Sequence, residues 1–291
     1  MKNKIEQKLC KKCKLCIEVC PVNIIGFEEE KVFFIPEREA ICLKCGQCMA
    51  ICNTKAIKIE NISYENQLFD LPENKILYND LIGFLANRRS VRNFKDKPVA
   101  KEMLQKIIDS LAFAPFGSSP NKVNITVVNN RKIIESALPF ISEFLDNIVK
   151  WIENPFMRFM IKFKKGMETY NTIKNHLYPI AKLGNYKLGY GDRITRNAPT
   201  ILIFHANKGA EEHTNNSLIY ATYAILAAHS LGLGASMIGL VPAGINKIQK
   251  VKHIFNIPDE NEAIISVIIG YQKYKYKRAI KRDKENINWI E

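Results

Sequence analysis

The chain has 291 residues, 47% of them hydrophobic, with 43 Lys and Arg against 29 Asp and Glu for a formal net charge of +14. That is enough apolar material for a full core and enough length for about two domains; no stretch reaches the roughly 18 uninterrupted apolar residues of a membrane span, and Met1 to Cys10 is polar with no apolar signal core. A soluble cytoplasmic protein is expected, and because the basic residues are scattered among many Ile and Asn instead of gathered into a recognisable nucleic-acid fold, a nucleic-acid role is set aside.

All eight cysteines fall within the first 52 residues, in two runs of one spacing: Cys10, Cys13, Cys16 and Cys20, then Cys42, Cys45, Cys48 and Cys52, each 32 residues after its counterpart. Thiolates two residues apart wrap one cube of iron and sulfide, whereas the fourth cysteine, set off by three residues, serves the other cube in two-cluster ferredoxins. By that crossover Cys10, Cys13, Cys16 and Cys52 ligate one [4Fe-4S] cluster, and Cys42, Cys45, Cys48 and Cys20 ligate the other. Zinc sites usually pair two Cys-x2-Cys hooks, and disulfide frameworks favour small secreted chains. Neither explains three closely spaced cysteines plus one, twice. Pro21 follows Cys20 as the ferredoxin run requires, while Asn53 stands where the second run would have its proline, so the turn there is expected to be less rigid. Such an electron wire is sensitive to oxygen and suits a reducing, anaerobic cell. The basic surface would attract an acidic electron-carrier protein as donor.

Along the chain, residues 1–61 read as one short unit used twice: a cysteine loop, a brief helix, then an apolar strand, with Ile25 and Ile57 in equivalent places. Val32 to Pro36 is the predicted return strand between the halves. Residues 62–79, polar and broken by Pro72, form the predicted linker to a second domain over 80–291. There the elements lengthen. Asp80 to Ala86 and Lys101 to Ala114 are predicted helices, the latter with Met103, Leu104, Ile107, Ile108 and Leu111 at helical intervals. Val123 to Val128, Thr200 to Phe204 and Ala263 to Ile269 are β-branched, apolar strand candidates. Asn215 to Leu231 is a long, mostly apolar helix stopped by Gly232, and Ile245 to Phe255 an amphipathic helix ending before Pro258. Few strands among long helices predict an α+β domain with one central sheet, mixed or antiparallel, flanked by helices.

Three patches of this second domain carry chemistry. Arg88-Arg89-Ser90-Val91-Arg92 offers planar, bidentate donors and a hydroxyl suited to phosphate, although alone it reads as a solvated basic turn. Ala114 to Asn121 is a loop between a helix and a strand, with a side-chain amide at Asn121 able to donate and accept. Leu231 to Gly239 is rich in small residues that let backbone approach a flat ring, or pack a core; it lacks the G-x-G-x-x-G spacing of a dinucleotide fold. In this order, with "RRSVRNF" at 88–94, "APFGSSPN" at 114–121, "RNAPTILIFHA" at 196–206, "AAHSLGLGASMIG" at 227–239 and "IGYQKYKYKR" at 269–278, the patches resemble the nitroreductase family of flavin enzymes. Joined to the two-cluster segment, the whole chain looks like a ferredoxin-nitroreductase fusion.

The resemblance implies an FMN site with assigned parts. Arg88, Arg89 and Ser90 fall on the phosphate and ribityl side, and Arg92 near the pyrimidine edge, where a cation stabilises the negative charge of reduced flavin. Ser119 and Asn121 become hydrogen-bonding candidates along the ring edge. Backbone around Met237, Ile238 and Gly239 is expected against the isoalloxazine, and Arg278 and Arg282 of the basic tail complete the phosphate grip. The same tail alternates Lys with Tyr, an interleaving also used on single-stranded nucleic acid. The resemblance also implies a homodimer with flavin at the subunit boundary. Arg131 to Arg193 matches least; its aromatic and methionine-rich stretch Trp151 to Met160 is expected to form a lid or a subunit contact. His205 and His229 read as packed histidines of a strand and a helix.

Two clusters of one electron each match a flavin that takes two. The expected function is a flavin-dependent oxidoreductase that draws electrons through its own ferredoxin domain and reduces a small planar acceptor, a nitroaromatic or quinone. The rivals are dehalogenation or ene reduction on the same scaffold, and an electron-transfer or redox-sensing module.

Overall fold

Contacts divide the chain into two units, Met1–Ile76 and Leu77–Glu291. The computed structural model describes residues 3–73, 75–117, 122–183, 188–283 and 286–291.

The first unit runs β1 (Lys4–Ile5), α1 (Leu15–Glu18), β2 (Ile25–Glu28), β3 (Lys31–Phe34), a 3-10 turn (Pro36–Ile41), α2 (Gln47–Ala50) and β4 (Ile57–Lys58). β1 pairs with β4, and β2 with β3, both antiparallel. The sequence repeat is also a backbone repeat. Left-handed φ angles recur at Lys12 and Lys44 (56° and 50°), Lys14 and Gly46 (63° and 73°), Asn23 and Lys55 (50° and 54°), and Glu29 and Asn61 (45° and 65°). Each pair is 32 residues apart. Non-glycine residues enter this region at a steric cost, so its use at matched positions in both halves shows that the loop path itself is what the repeat preserves. Between the halves lies a small core of Cys16, Ile25, Val32, Cys48, Met49 and Ile57.

The second unit contains α3 (Tyr78–Asn87), α4 (Lys101–Ser110), β5 (Asn124–Val128), α5 (Arg131–Glu153), α6 (Pro155–Thr172), α7 (Tyr178–Lys182), β6 (Thr200–Asn207), α8 (His213–Ser230), β7 (Gly234–Ile238), α9 (Leu240–Lys247), α10 (Gln249–Ile254) and β8 (Asn261–Gly270). The strands form one sheet in the order β5-β6-β8-β7, and every neighbouring pair is antiparallel. Side chains alternate across the pleat. Ile201, Ile203 and Ile268 face a core shared with Ile134 and Ile141 of α5 and with Val241 and Ile245 of α9. Leu202, Phe204, Val267 and Ile269 face the opposite core, with Leu104 and Ile107 of α4 and Ala221 and Ala224 of α8. Both faces are covered, which explains why β6 reads as an unbroken apolar run.

Two elements depart from the sequence reading. β7 is a strand, although Gly234, Ala235 and Ser236 have little β-propensity; it forms because β8 supplies a complete ladder from Ser266 to Gly270. The helix expected over Ile245 to Phe255 begins earlier, at Leu240, and is broken at Ile248, whose φ and ψ are −128° and 104°. Pro242 does not prevent the early start, since the first turn needs no intrahelical N–H donors. Within the stretch after β5, Arg131–Glu153 and Pro155–Thr172 build the helical pair α5 and α6, the latter kinked at Gly166 (φ 82°, ψ 164°). Among the described residues no helix is long and apolar enough to cross a membrane.

Candidate cofactor sites

In the first unit α1 and α2 carry Cys16 and Cys48 into the core; the loops before them leave Cys13 and Cys45 exposed and Cys10 and Cys42 half-buried, and Cys20 and Cys52, just after the helices, are half-buried as well. Two cavities result. One is lined by Cys10, Cys13, Cys16 and Cys52, the other by Cys20, Cys42, Cys45 and Cys48. These are the two crossed sets that the spacing predicts. Backbone amides point at several sulfurs: Lys12 N donates to Cys10 Sγ at 3.4 Å, Ile24 N to Cys20 Sγ at 3.5 Å and Ala56 N to Cys52 Sγ at 3.3 Å. Burial pushes the Cys16 thiol up to about 11, with Cys10 and Cys13 adding to the rise. Burial likewise pushes Cys48 up to about 12, with Cys45 contributing. Four thiolates in one cavity therefore need a positive centre, and iron bound to sulfide supplies it. Among the described residues no three His, Cys, Asp or Glu could hold one metal ion. A cube takes each cysteine at a different iron, so sulfurs spread around a cavity suit it.

In the second unit the segment after α3 is stitched to distant chain. Ser90 bridges to Ala235, Val91 N donates to Ala235 O at 3.0 Å, Lys95 N to Tyr271 O at 2.8 Å, and Lys273 N to Asn93 O at 2.9 Å. Val91 and Phe94 are buried by this stitching, which leaves Arg92 exposed. Close approach requires glycine here: a Cβ at Gly234 would lie 2.8 Å from Val91, and one at Gly270 2.7 Å from Pro199 and 2.9 Å from Phe94.

Arg88 and Arg89 line a cleft of about 780 Å³, counted out to its open mouth, together with His229, Ala235, Gln272, Lys275 and Tyr276. The Arg89 guanidinium lies 5.5 Å from the centre of the Tyr276 ring. Among the described residues Arg88, Arg89 and Lys275 form no ion pair. Burial, and to a lesser extent the charge of Arg88, holds the His229 pKa below its ordinary value, while the Phe84 carbonyl opposes the shift. The shift disfavours the charged imidazole, and the arginines and lysine set the sign of the cleft. A phosphate fits this donor set.

Arg92 turns to a separate hollow with Arg193, Arg196 and Lys273. The loop bearing Arg193 and Arg196 is anchored by Asp192, which accepts from the Thr195 and Asn197 amides, the Thr195 hydroxyl and the Arg131 guanidinium. Met237 and Ile238 are half-buried at the end of β7, with the Ile238 carbonyl fixed by the Ser266 hydroxyl at 2.7 Å. Gly239 is exposed, and a Cβ there would meet nothing within 4 Å, so the backbone edge is open to a flat ligand. Ser119 and Asn121 lie outside the described residues; the start of their loop is tied to α8 by Gly117 N donating to Asn216 Oδ1 at 2.8 Å. Arg278 and Arg282 are exposed and do not line the cleft, whereas Lys275 and Tyr276 of the same tail do. The sequence reading takes His229 as a packed histidine and assigns these two no place at the site. The Lys–Tyr alternation of the tail was the available signal.

Comparison with known proteins follows this division. Residues 85–271 match the Nitroreductase family, and residues 9–56 match the 4Fe-4S dicluster domain. The FMN reductase [NAD(P)H] of Bacillus subtilis is 24% identical over 212 residues, 72% of this chain and 73% of that protein. The crystal structure of a nitroreductase with bound FMN from Desulfitobacterium hafniense matches with a TM-score of 0.52 at 19% identity, covering 74% of this chain and 100% of that one. The likeness of fold covers the second unit's α+β architecture.

Proposed function

The chain belongs to the nitroreductase family, and we propose that it is an FMN-dependent oxidoreductase supplied with electrons by two [4Fe-4S] clusters of its own N-terminal domain and acting on a small planar acceptor, a nitroaromatic or quinone. The observation that carries this reading is the presence in one chain of two four-cysteine cradles and a cleft lined by Arg88, Arg89 and Lys275, which form no ion pair among the described residues. Held in the two cysteine cradles, the clusters would supply single electrons, and FMN held in the Arg88, Arg89 and Lys275 cleft would supply two-electron chemistry toward an organic acceptor.

The chain's own residues bind and orient. Arg88, Arg89 and Lys275 would hold the FMN phosphate, with Ser90 beside the ribityl chain and Tyr276 stacked on Arg89 to limit its rotamers. Arg92 remains the candidate for the pyrimidine edge, and the open backbone at Met237, Ile238 and Gly239 the candidate for contact with the ring. Ser119 and Asn121 are proposed along the ring edge, and Arg278 and Arg282 as outer members of the phosphate grip once the tail is covered. A homodimer is part of the proposal. α3 buries none of its residues, and Leu81, Ile82 and Leu85 are all exposed, an apolar face that a second copy would cover.

Anaerobic purification followed by iron, sulfide and flavin analysis, with visible spectra during addition of a low-potential reductant, tests the reading. About eight irons and one FMN per chain are expected, both chromophores bleaching, followed by turnover of nitro or quinone compounds in preference to halide or ene substrates assayed beside them. NAD(P)H as sole donor provides a second arm; reduction of the flavin by NAD(P)H with the clusters remaining oxidised would overturn the internal supply. Iron without flavin would overturn the flavoenzyme reading altogether.

A further inference from the structure

On the two-cluster reading above, we infer that the two cluster sites are unequal: the site of Cys10, Cys13, Cys16 and Cys52 has the higher reduction potential, and Thr54 is the residue that chiefly sets it apart. The 32-residue repeat provides the internal control, because each position around one cavity has a counterpart around the other.

Three differences point the same way. Cys20 Sγ accepts the Ile24 amide at 3.5 Å, and Cys52 Sγ accepts the equivalent Ala56 amide at 3.3 Å. Cys52 Sγ also lies 3.7 Å from the Thr54 hydroxyl, whereas the counterpart beside Cys20 is Val22, which has none. With the sulfur as acceptor, the Thr54 hydroxyl is the donor. Second, Asn53 brings a backbone N–H to the turn where Pro21 brings none. Third, Lys11 and Lys14 line the first cavity, and their counterparts at the second are Leu43 and Gly46. The second cavity's own cation, Lys44, is engaged with Glu60 at 2.8 Å.

Adding an electron makes a cluster and its thiolates more negative. Donors and cations at the sulfurs stabilise that form, which raises the potential. The lysines are exposed, so salt screens them. Thr54 is half-buried against its sulfur and is screened less. The first electron to enter the domain therefore comes to rest at the Cys52 site, and Pro21 and Val22 keep the other site the harder to reduce. The repeat is symmetric in its ligands and polarised in their surroundings.

The test uses the full-length protein with both clusters and FMN in place, titrated potentiometrically under EPR and visible detection. Two separate cluster steps are expected, at least about tenfold apart in equilibrium constant, which is about 59 mV for one electron. Thr54→Val should lower the upper step toward the lower one with iron content unchanged. Val22→Thr should raise the lower step, and it decides the matter alone if Thr54→Val fails to assemble its cluster. A single coincident step in the native protein, or steps unmoved by both substitutions, would overturn the inference while leaving the two-cluster reading intact. Fewer than about eight irons in the native protein would instead overturn the cluster reading on which it rests.

Discussion

In Met1–Ile76 every cradle sulfur comes from two short segments of one spacing, each a loop and a brief helix, whereas the cleft in Leu77–Glu291 takes Arg88 and Arg89, His229 and Ala235, and Lys275 and Tyr276 from three segments far apart in sequence. The first construction fixes ligand geometry through local backbone, so left-handed residues recur at matched positions. The second depends on sheet closure: β7 must pair with β8 before Ala235 can receive Val91, and only then does the arginine segment have a place to lie. A local site tolerates change elsewhere in the fold, and an assembled one inherits every defect of the sheet beneath it.

The largest expected effect separates the two constructions cleanly. Cys45→Ser removes an exposed ligand without touching the core, and iron should fall from about eight to about four per chain while bound FMN is unchanged; metal and flavin analysis on one sample checks both. Loss of FMN in the same variant would break the idea that the sites are built independently.

Next is Asp192→Asn, which takes the buried carboxylate from Arg131 while Glu135, Thr195, Asn197 and the Ala198 carbonyl still engage it, and which should cost about 3 kcal/mol in chemical denaturation of the second unit. Burial alone would raise the Asp192 pKa, but the Thr195 hydroxyl, the Thr195 and Asn197 amides and Arg131 outweigh it and hold the carboxyl below its ordinary 3.8. A depressed carboxylate stabilises the fold fully above the ordinary value, and the contribution is lost as pH falls through the folded one. The native protein should therefore lose stability below about pH 4 more steeply than the variant.

Arg88→Ala should weaken FMN by about 1.5–3 kcal/mol, or roughly 10- to 100-fold, measured by quenching of flavin fluorescence on the flavin-free protein. The absorbance of the iron-sulfur domain should not move. The smallest effect tests the stitching: Gly234→Ala places a methyl 2.8 Å from Val91 and should cost about 1–3 kcal/mol, read as a lowered Tm. If that variant also releases FMN faster, sheet closure governs the cleft; if FMN is indifferent, the arginines are held some other way.

How far each region could be read from sequence follows from the same contrast. The crossed cysteine sets were legible because cluster ligation is written in spacing. β5, β6 and β8 were legible as β-branched apolar runs. β7 was not, because Gly234, Ala235 and Ser236 look like a packing patch and become a strand only beside β8. The break at Ile248 was hidden because the apolar stripe continues across it. In the cleft, Arg88 and Arg89 stood out through the family resemblance, while Lys275, Tyr276 and His229 acquire a role only from neighbours supplied by other segments. The resemblance pointed to Arg278 and Arg282 of the same tail, and its earlier residues Lys275 and Tyr276 are the ones that line the cleft.

The crossing of the fourth cysteine has a consequence for assembly. Cys20 belongs to the first repeat and serves the second cavity, and Cys52 does the reverse. Neither half is a complete vessel. On the proposed ligation, a chain that has folded only its first loop would hold three ligands for one cube and one for the other, so insertion of either cluster would wait on closure of both loops. Damage is shared in the same way: a cube lost to oxygen releases a cysteine belonging to the opposite repeat and loosens the wall of the surviving cavity. Each cavity therefore depends on both halves of the repeat for its walls.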